Sequence, residues 1–229
     1  MLSPLQVLFE DNHCLAVVKP ARLLTAGDST GDATLLDQAR AYLREKYRKP
    51  GNVYLGLVHR LDRPVSGIVL FARTSKAASR LSAQFRAGSV LKVYHALVEG
   101  VPARDTAELV DWLVKDAAAN RVDSVSPDTP GARRSVLQYQ RLSRRSGLTL
   151  IEIAPQTGRS HQIRVQLAHA GMPIFGDRKY GARHGFDGAI ALHAARLTFE
   201  HPVRRDPIML SCGAPAAWAS LASRRIDRD

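Results

Sequence analysis

The run L-V-H-R-L-D-R-P-V-S-G from Leu57 to Gly67 crowds the ionisable side chains His59, Arg60, Asp62 and Arg63 between two apolar stretches. Pro64 drives the residue before it into an extended conformation, and Gly67 allows a close backbone approach, so the run reads as a rigid loop. A carboxylate fixed there with cations beside it stays ionised and can serve as a nucleophile or a base. The same pattern suits a structural aspartate paired with an arginine across a turn, and the residues alone leave both readings open.

A second cluster, Q-T-G-R-S-H-Q-I-R, runs from Gln156 to Arg164. A helix starting near Ser160 places His161 and Arg164 on one face, with Ile163 and Leu167 on an apolar stripe. Its first amides, together with Arg159, would form an anion site, while a solvated amphipathic helix is the plainer reading. Third is L-K-V-Y-H-A from Leu91 to Ala96. Strand alternation sets Lys92 and Tyr94 on one face, which suits a base stacked on the ring and a phosphate near the amine. A core tyrosine beside a lysine whose stem packs along it is an equally common use of such a pair. His161 and His169 make no metal-binding pair, and Cys14 and Cys212 lie far apart, so no metal is expected. Neither G-x-G-x-x-G nor a phosphate-binding G-x-x-x-x-G-K-[ST] occurs, and no cofactor is expected.

These groups need elements to hold them. Val7 to Glu10 and Leu15 to Val18 flank Asp11 and Asn12 as a hairpin. Leu35, Leu36, Ala39, Tyr42 and Leu43 have helical spacing over 33–48, and Pro50-Gly51 should end that helix. Strands are expected from Tyr54 to Val58 and from Gly67 to Ala72, then a helix capped by Thr74 and running to about Phe85. Val90 to Glu99 reads as a strand. Residues 115–134 are polar and contain Pro127, Pro130 and Gly131, and read as a surface excursion. Strands resume near 134–142 and 147–154. A helix follows Ser160, with Ile163, Leu167 and Ala170 inward, and is stopped by Gly171 and Pro173. Short strands near 196–200 and 207–212 precede a helix from about Pro215, and the basic tail from Arg224 to Asp229 should fray. Many strands with few helices, and no regular β-α-β alternation, predict an α+β fold with a mainly antiparallel sheet.

The chain has 229 residues, 45% of them hydrophobic, enough for a sizeable core. Lysine and arginine number 33 against 21 acids, a net charge of +12 that favours a polyanionic partner through counterion release. Two cysteines imply no disulfide framework, and no leader or membrane span is readable, so a cytoplasmic location is expected; a monomer is the expected state.

Taken together, the three segments resemble the RluA-type RNA pseudouridine synthases. His59 to Gly67 matches that family's H-R-L-D-x-x-[TV]-S-G signature, Lys92-Val93-Tyr94 with Ala96 its K-x-Y-x-A element, and Thr157 to Arg164 its T-G-R-x-H-Q-I-R element. Val18-Lys19-Pro20, Leu192-His193-Ala194 and His201-Pro202 are further matches, in the expected order. The resemblance implies a pseudouridine synthase fold with a central active-site cleft, a single catalytic domain over 1–229, and no separate N-terminal RNA-binding appendage. It implies isomerisation of uridine in tRNA or rRNA, with Asp62 as the catalytic carboxylate, Arg164 pairing with it and Tyr94 against the base. The target nucleotide would be flipped out of its stack into the cleft. Lys19, Lys92 and Arg159, with His59, Arg60 and His161, are the candidate substrate contacts. Val65 stands where threonine is frequent, so a hydroxyl there is dispensable. A non-catalytic RNA-binding module, or an RNA-cleaving enzyme using His59 or His161, are the alternative classes.

Overall fold

The structure, a computed structural model, describes residues 5–28 and 30–223. The expected fraying of the tail falls outside them. In chain order the first elements are β1 (Gln6–Glu10), β2 (Cys14–Lys19), α1 (Leu35–Lys46), β3 (Gly56–Leu57), β4 (Ser66–Ala72) and α2 (Ser75–Ala87). Then come β5 (Leu91–Glu99), β6 (Thr106–Asp116), β7 (Arg121–Val125), β8 (Arg133–Arg145) and β9 (Leu148–Pro155). Last are α3 (Gln162–His169), a 3₁₀ turn (Arg178–Tyr180), β10 (Leu192–Glu200), β11 (Pro207–Ser211) and α4 (Ala217–Ser223).

The chain divides into two compact units: Met1–Leu91 with Ala194–Gly213, and Lys92–His193 with Ala214–Asp229. Their boundaries fall inside β5 and β10, where no linker composition could mark them.

In the first unit β1, β2, β4 and β10 are neighbours in that order, with β11 on β10 and β3 on β4. The hairpin of β1 and β2 pairs Gln6 with Val18 and Glu10 with Leu15. Asp11 makes its turn, Oδ1 accepting the amides of His13 and Cys14 at 2.8 and 2.7 Å. Cys14, Ala16, Ile68, Leu70 and Ala72 alternate onto one sheet face and pack with Ala77 and Leu81 of α2 and with Phe199. Leu15, Val17, Val69 and Phe71 point the other way and are also buried, which is why β2 and β4 are apolar without alternation. Thr74 caps α2 as expected, and Gly88 ends it in the left-handed conformation. Thr34 caps α1, which stops at Tyr47, before Pro50 could act.

The second unit is an antiparallel run in the order β5, β9, β8, β6, β7. Residues 115–134, expected as an excursion, instead contribute β7 and the end of β6, paired from Trp112–Val125 to Asp116–Arg121. The polar composition misled because only Val122 of its outward-facing neighbours turns inward, where it packs with Leu113, Val165 and Tyr180. Helix α3 lies against β6 and β7 and is buried from Gln162 to Leu167. It is therefore not amphipathic, and Ala170, expected inside, is exposed. Every ladder described within the two units is antiparallel, and the α+β class holds. No helix among the described residues is long and apolar enough to cross a membrane.

Candidate active site

Asp62 sits in a loop whose backbone is pinned on both sides of it. Before it, Leu61 exchanges two bonds with the Thr25 hydroxyl, which donates to the Leu61 carbonyl at 2.7 Å and accepts its amide at 3.2 Å. After it, the Arg63 carbonyl accepts the Arg22 amide at 2.8 Å and Lys19 Nζ at 3.1 Å. The turn closes through the Val65 amide on the Asp62 carbonyl at 3.0 Å. Arg63 itself faces away, donating to the Arg22 carbonyl and pairing with Asp32 at 2.8 Å. Val65 is buried. Gly67 has φ +122°, and a Cβ there would come within 2.4–2.7 Å of the Ala194 main chain, so the close approach expected of it is real. His59 is not aimed at a substrate: its Nε2 accepts the Leu70 amide at 2.9 Å and its ring stacks on Phe85. Arg60 is exposed.

Lys19 requires a correction. It is 0% exposed, and its ammonium is spent on the carbonyls of Pro20, Leu23 and Arg63 at 2.7–3.1 Å, so it cannot grip phosphate from the surface. Its role is internal, tying the Asp62 loop to the end of β2. Burial pushes its pKa down to about 7, against the upward pull of the Asp62 charge. The folded protein then releases this proton as pH rises through about 7, whereas the unfolded chain holds it until about 10.5. Between those values the unfolded state binds more protons, so the Lys19 contribution to stability grows with pH. The urea midpoint of the wild type relative to Lys19→Met is therefore expected to rise from pH 7 to 9. A flat difference would mean that the carbonyls keep the amine charged throughout.

In the second unit the T-G-R-S-H-Q-I-R segment is organised around Gln162. Its Oε1 accepts the Thr157 hydroxyl at 2.7 Å and the Arg159 amide at 3.0 Å. Its Nε2 donates to the Val136 carbonyl at 3.0 Å and to Gln166 at 2.9 Å. With the Arg159 amide so engaged, the expected anion site at the start of α3 loses one of its donors. His161 and Arg164 do share a face, and both meet Tyr180: His161 Nδ1 lies 2.7 Å from its hydroxyl, and the Arg164 guanidinium 4.9 Å from its ring centre. Burial raises the Tyr180 pKa, and its oxygen already accepts the Val122 amide at 3.0 Å. The phenol thus bridges the Val122 amide and the His161 ring. Lys92 and Tyr94 are half-buried on β5, with Tyr94 opposite Ile153 of β9. Burial lowers the Lys92 pKa, and its amine lies beside Gly158, whose Cβ would be 3.7 Å away. Arg159 is exposed.

Arg164 makes a two-pronged ion pair with Asp177, Nε to Oδ2 at 2.7 Å and Nη2 to Oδ1 at 2.8 Å, with side chains 7% and 2% exposed. Asp177, Tyr180 and Gln162 were all missed from the sequence. The signal was a lone acid after the apolar run Met172 to Phe175, set between Gly176 and Tyr180-Gly181, in a chain with a buried arginine to match. Asp11, Cys14 and His201 bring three possible ligand atoms within 4.8 Å of one another, which spacing alone could not reveal. Asp11 Oδ2 is taken by His201 at 2.7 Å and Arg204 at 3.2 Å, His201 Nδ1 accepts two amides, and burial pushes the Cys14 thiol up to about 12. These groups satisfy one another as a structural network.

Comparison with known proteins places these residues in context. Residues 13–169 match the family model described as RNA pseudouridylate synthase. Ribosomal large subunit pseudouridine synthase C of Vibrio vulnificus is 35% identical over 213 residues, covering 90% of this chain and 64% of that protein. The chain thus spans less than two thirds of that relative. tRNA pseudouridine synthase C of Vibrio cholerae is 28% identical over 239 residues, covering 96% of this chain and 95% of that one. Among solved structures, human RNA pseudouridylate synthase domain containing 4 shares the fold with a TM-score of 0.80, at 24% identity over 96% of this chain and 92% of that one.

Proposed function

Because this chain belongs to the RNA pseudouridylate synthase family, we propose that it isomerises uridines in tRNA or rRNA to pseudouridine, with Asp62 as the catalytic carboxylate. The carrying observation is the double pinning of the Asp62 loop by Thr25, Lys19 and Arg22. A catalytic group must be held within a fraction of an ångström, and a surface turn has no need of such bracing. The base is detached at its glycosidic nitrogen, turned, and rejoined through carbon 5, whether Asp62 attacks the base, attacks the sugar or acts as a base. The family resemblance supports Tyr94 stacking on the uracil and Arg164 as the partner of the Asp62 carboxylate. It also supports a nucleotide flipped out of its stack, since a paired base is out of reach. The net charge of +12 supports RNA as the partner, and the two cysteines, too few for a disulfide framework, support a reducing, cytoplasmic setting.

RNA cleavage is disfavoured by His59, whose Nε2 is held by a backbone amide and whose ring is stacked. The test is to incubate purified protein with tRNA and rRNA from a strain lacking it and to map pseudouridine by carbodiimide primer extension. Intact RNA carrying new carbodiimide stops at defined uridines is expected. Cut RNA would establish a nuclease, and unchanged but bound RNA a binding module.

A further inference from the structure

The first unit carries a groove of about 610 Å³ lined by Asp37, Arg40 and Arg44 of α1 and by Asn52, Val53 and Tyr54 of the segment before β3. That volume lies within the range of about 300–1,000 Å³ typical of ligand clefts. None of its residues belongs to the Asp62 loop or to the motifs that identify the family. The polar groups around it divide sharply. On α1, Tyr42 and Lys46 both bond Glu10, and Asp37 bonds Thr34 at the helix cap. The Arg44 guanidinium, the Asn52 amide and the Tyr54 hydroxyl have no side-chain partner among the described residues, and Arg40 Nε is screened from solvent without an acceptor. The Arg40–Asp37 pair is loose at 3.8 Å and exposed on both sides, so it holds Arg40 only weakly.

We propose that this groove binds a nucleotide of the substrate RNA other than the one that reacts, with Tyr54 stacking on its base and Arg40 and Arg44 on its phosphates. The inference rests on the reading of the protein as an RNA-modifying enzyme. Tyr54 is 51% exposed and lines the groove with the α1 arginines, so its ring is available to a base. Gly56 leaves room for its hydroxyl, since a Cβ there would lie 3.0 Å from that oxygen and 2.8 Å from Ala78. Arg40 and Arg44 are one helical turn apart, about 6 Å along α1, and planar guanidinium groups suit phosphate oxygens. Asn52 offers both a donor and an acceptor to the edge of a base. The exposed Arg48 and Lys49 continue the positive surface beyond the groove. An apolar partner would leave both arginines unmatched, and a free small anion would leave Tyr54 without purpose.

The test measures the affinity of the full-length protein for fluorescently labelled substrate RNA at fixed salt. Tyr54→Ala and Arg44→Glu are each expected to weaken binding about ten-fold, the order of one lost stacking or phosphate contact. Tyr54→Phe should bind as the wild type does, because it keeps the ring. Lys76→Glu, the same charge change on the exposed start of α2, should cost much less than Arg44→Glu. Crosslinking with RNA containing 4-thiouridine should mark the peptide that carries Tyr54. Equal losses for Lys76→Glu and Arg44→Glu, or no loss for Tyr54→Ala, would reduce the effect to general charge attraction and overturn the proposal. A wild type that binds RNA through this groove yet forms no pseudouridine would overturn the proposed function and leave the groove standing.

Discussion

Asp62→Asn is expected to remove pseudouridine formation, by roughly three orders of magnitude or more, while the protein stays folded and still binds RNA. The asparagine keeps the size of the side chain but can neither attack nor accept a proton as a carboxylate does. The loop should hold its course, because its shape comes from backbone bonds at Leu61, Arg63 and Val65 rather than from the residue at 62 alone. Affinity should change little, since phosphate contacts elsewhere dominate it. Lys19 should respond, because the Asp62 charge raises its pKa, and removing that charge lets burial lower it further. The measurement is pseudouridine by mass spectrometry of digested RNA, beside circular dichroism and an RNA titration. Product above background from Asp62→Asn, with contaminating enzyme excluded, would end the assignment of Asp62 as the reacting group.

Arg164 should matter nearly as much, and in two ways. Its Nε and Nη2 are committed to Asp177, so whatever else it holds, it holds through Nη1 or the second Nη2 hydrogen. Arg164→Ala leaves the buried Asp177 carboxylate without its cation, a loss of about 3–5 kcal/mol of stability. The single-turnover rate should also fall by orders of magnitude, with a smaller effect on RNA affinity. Lysine keeps the charge but not the planar fork, so Arg164→Lys should be impaired in both respects. Asp177→Asn separates the two effects. It keeps one hydrogen bond to Arg164 and loses the charge, so the rate should drop while the fold survives at 25 °C. Rates at saturating RNA, affinities at fixed salt and urea midpoints together decide the matter. If Arg164→Ala weakens binding and leaves the saturated rate unchanged, Arg164 is a phosphate contact and its catalytic role is wrong.

Much of the scaffold was legible because its signals are local. Thr74 before the second helix, Asp11 in the hairpin and Gly67 at the close approach all act within a few residues of themselves. The segment around Asp62 was legible for the same reason, being a contiguous motif of ionisable groups with a proline and a glycine. Burial and long-range pairing are different, because they are properties of where the chain returns. Lys19 has the look of any surface lysine until β2 and the 61–65 loop enclose it. His59 has the look of an acid–base residue until Leu70 and Phe85 meet it. Strand β7 buries only Val122 and so lacks an apolar signature. Asp177 lies 13 residues from Arg164, and the bond between them forms only because the chain beyond α3 folds back to bring Asp177 and Tyr180 to the Arg164 guanidinium. Sequence could name the groups able to do chemistry. Which of them are spent holding the loop, and which remain for a substrate, was decided by the tertiary structure, because a buried polar group takes whatever partner the fold brings within about 3 Å.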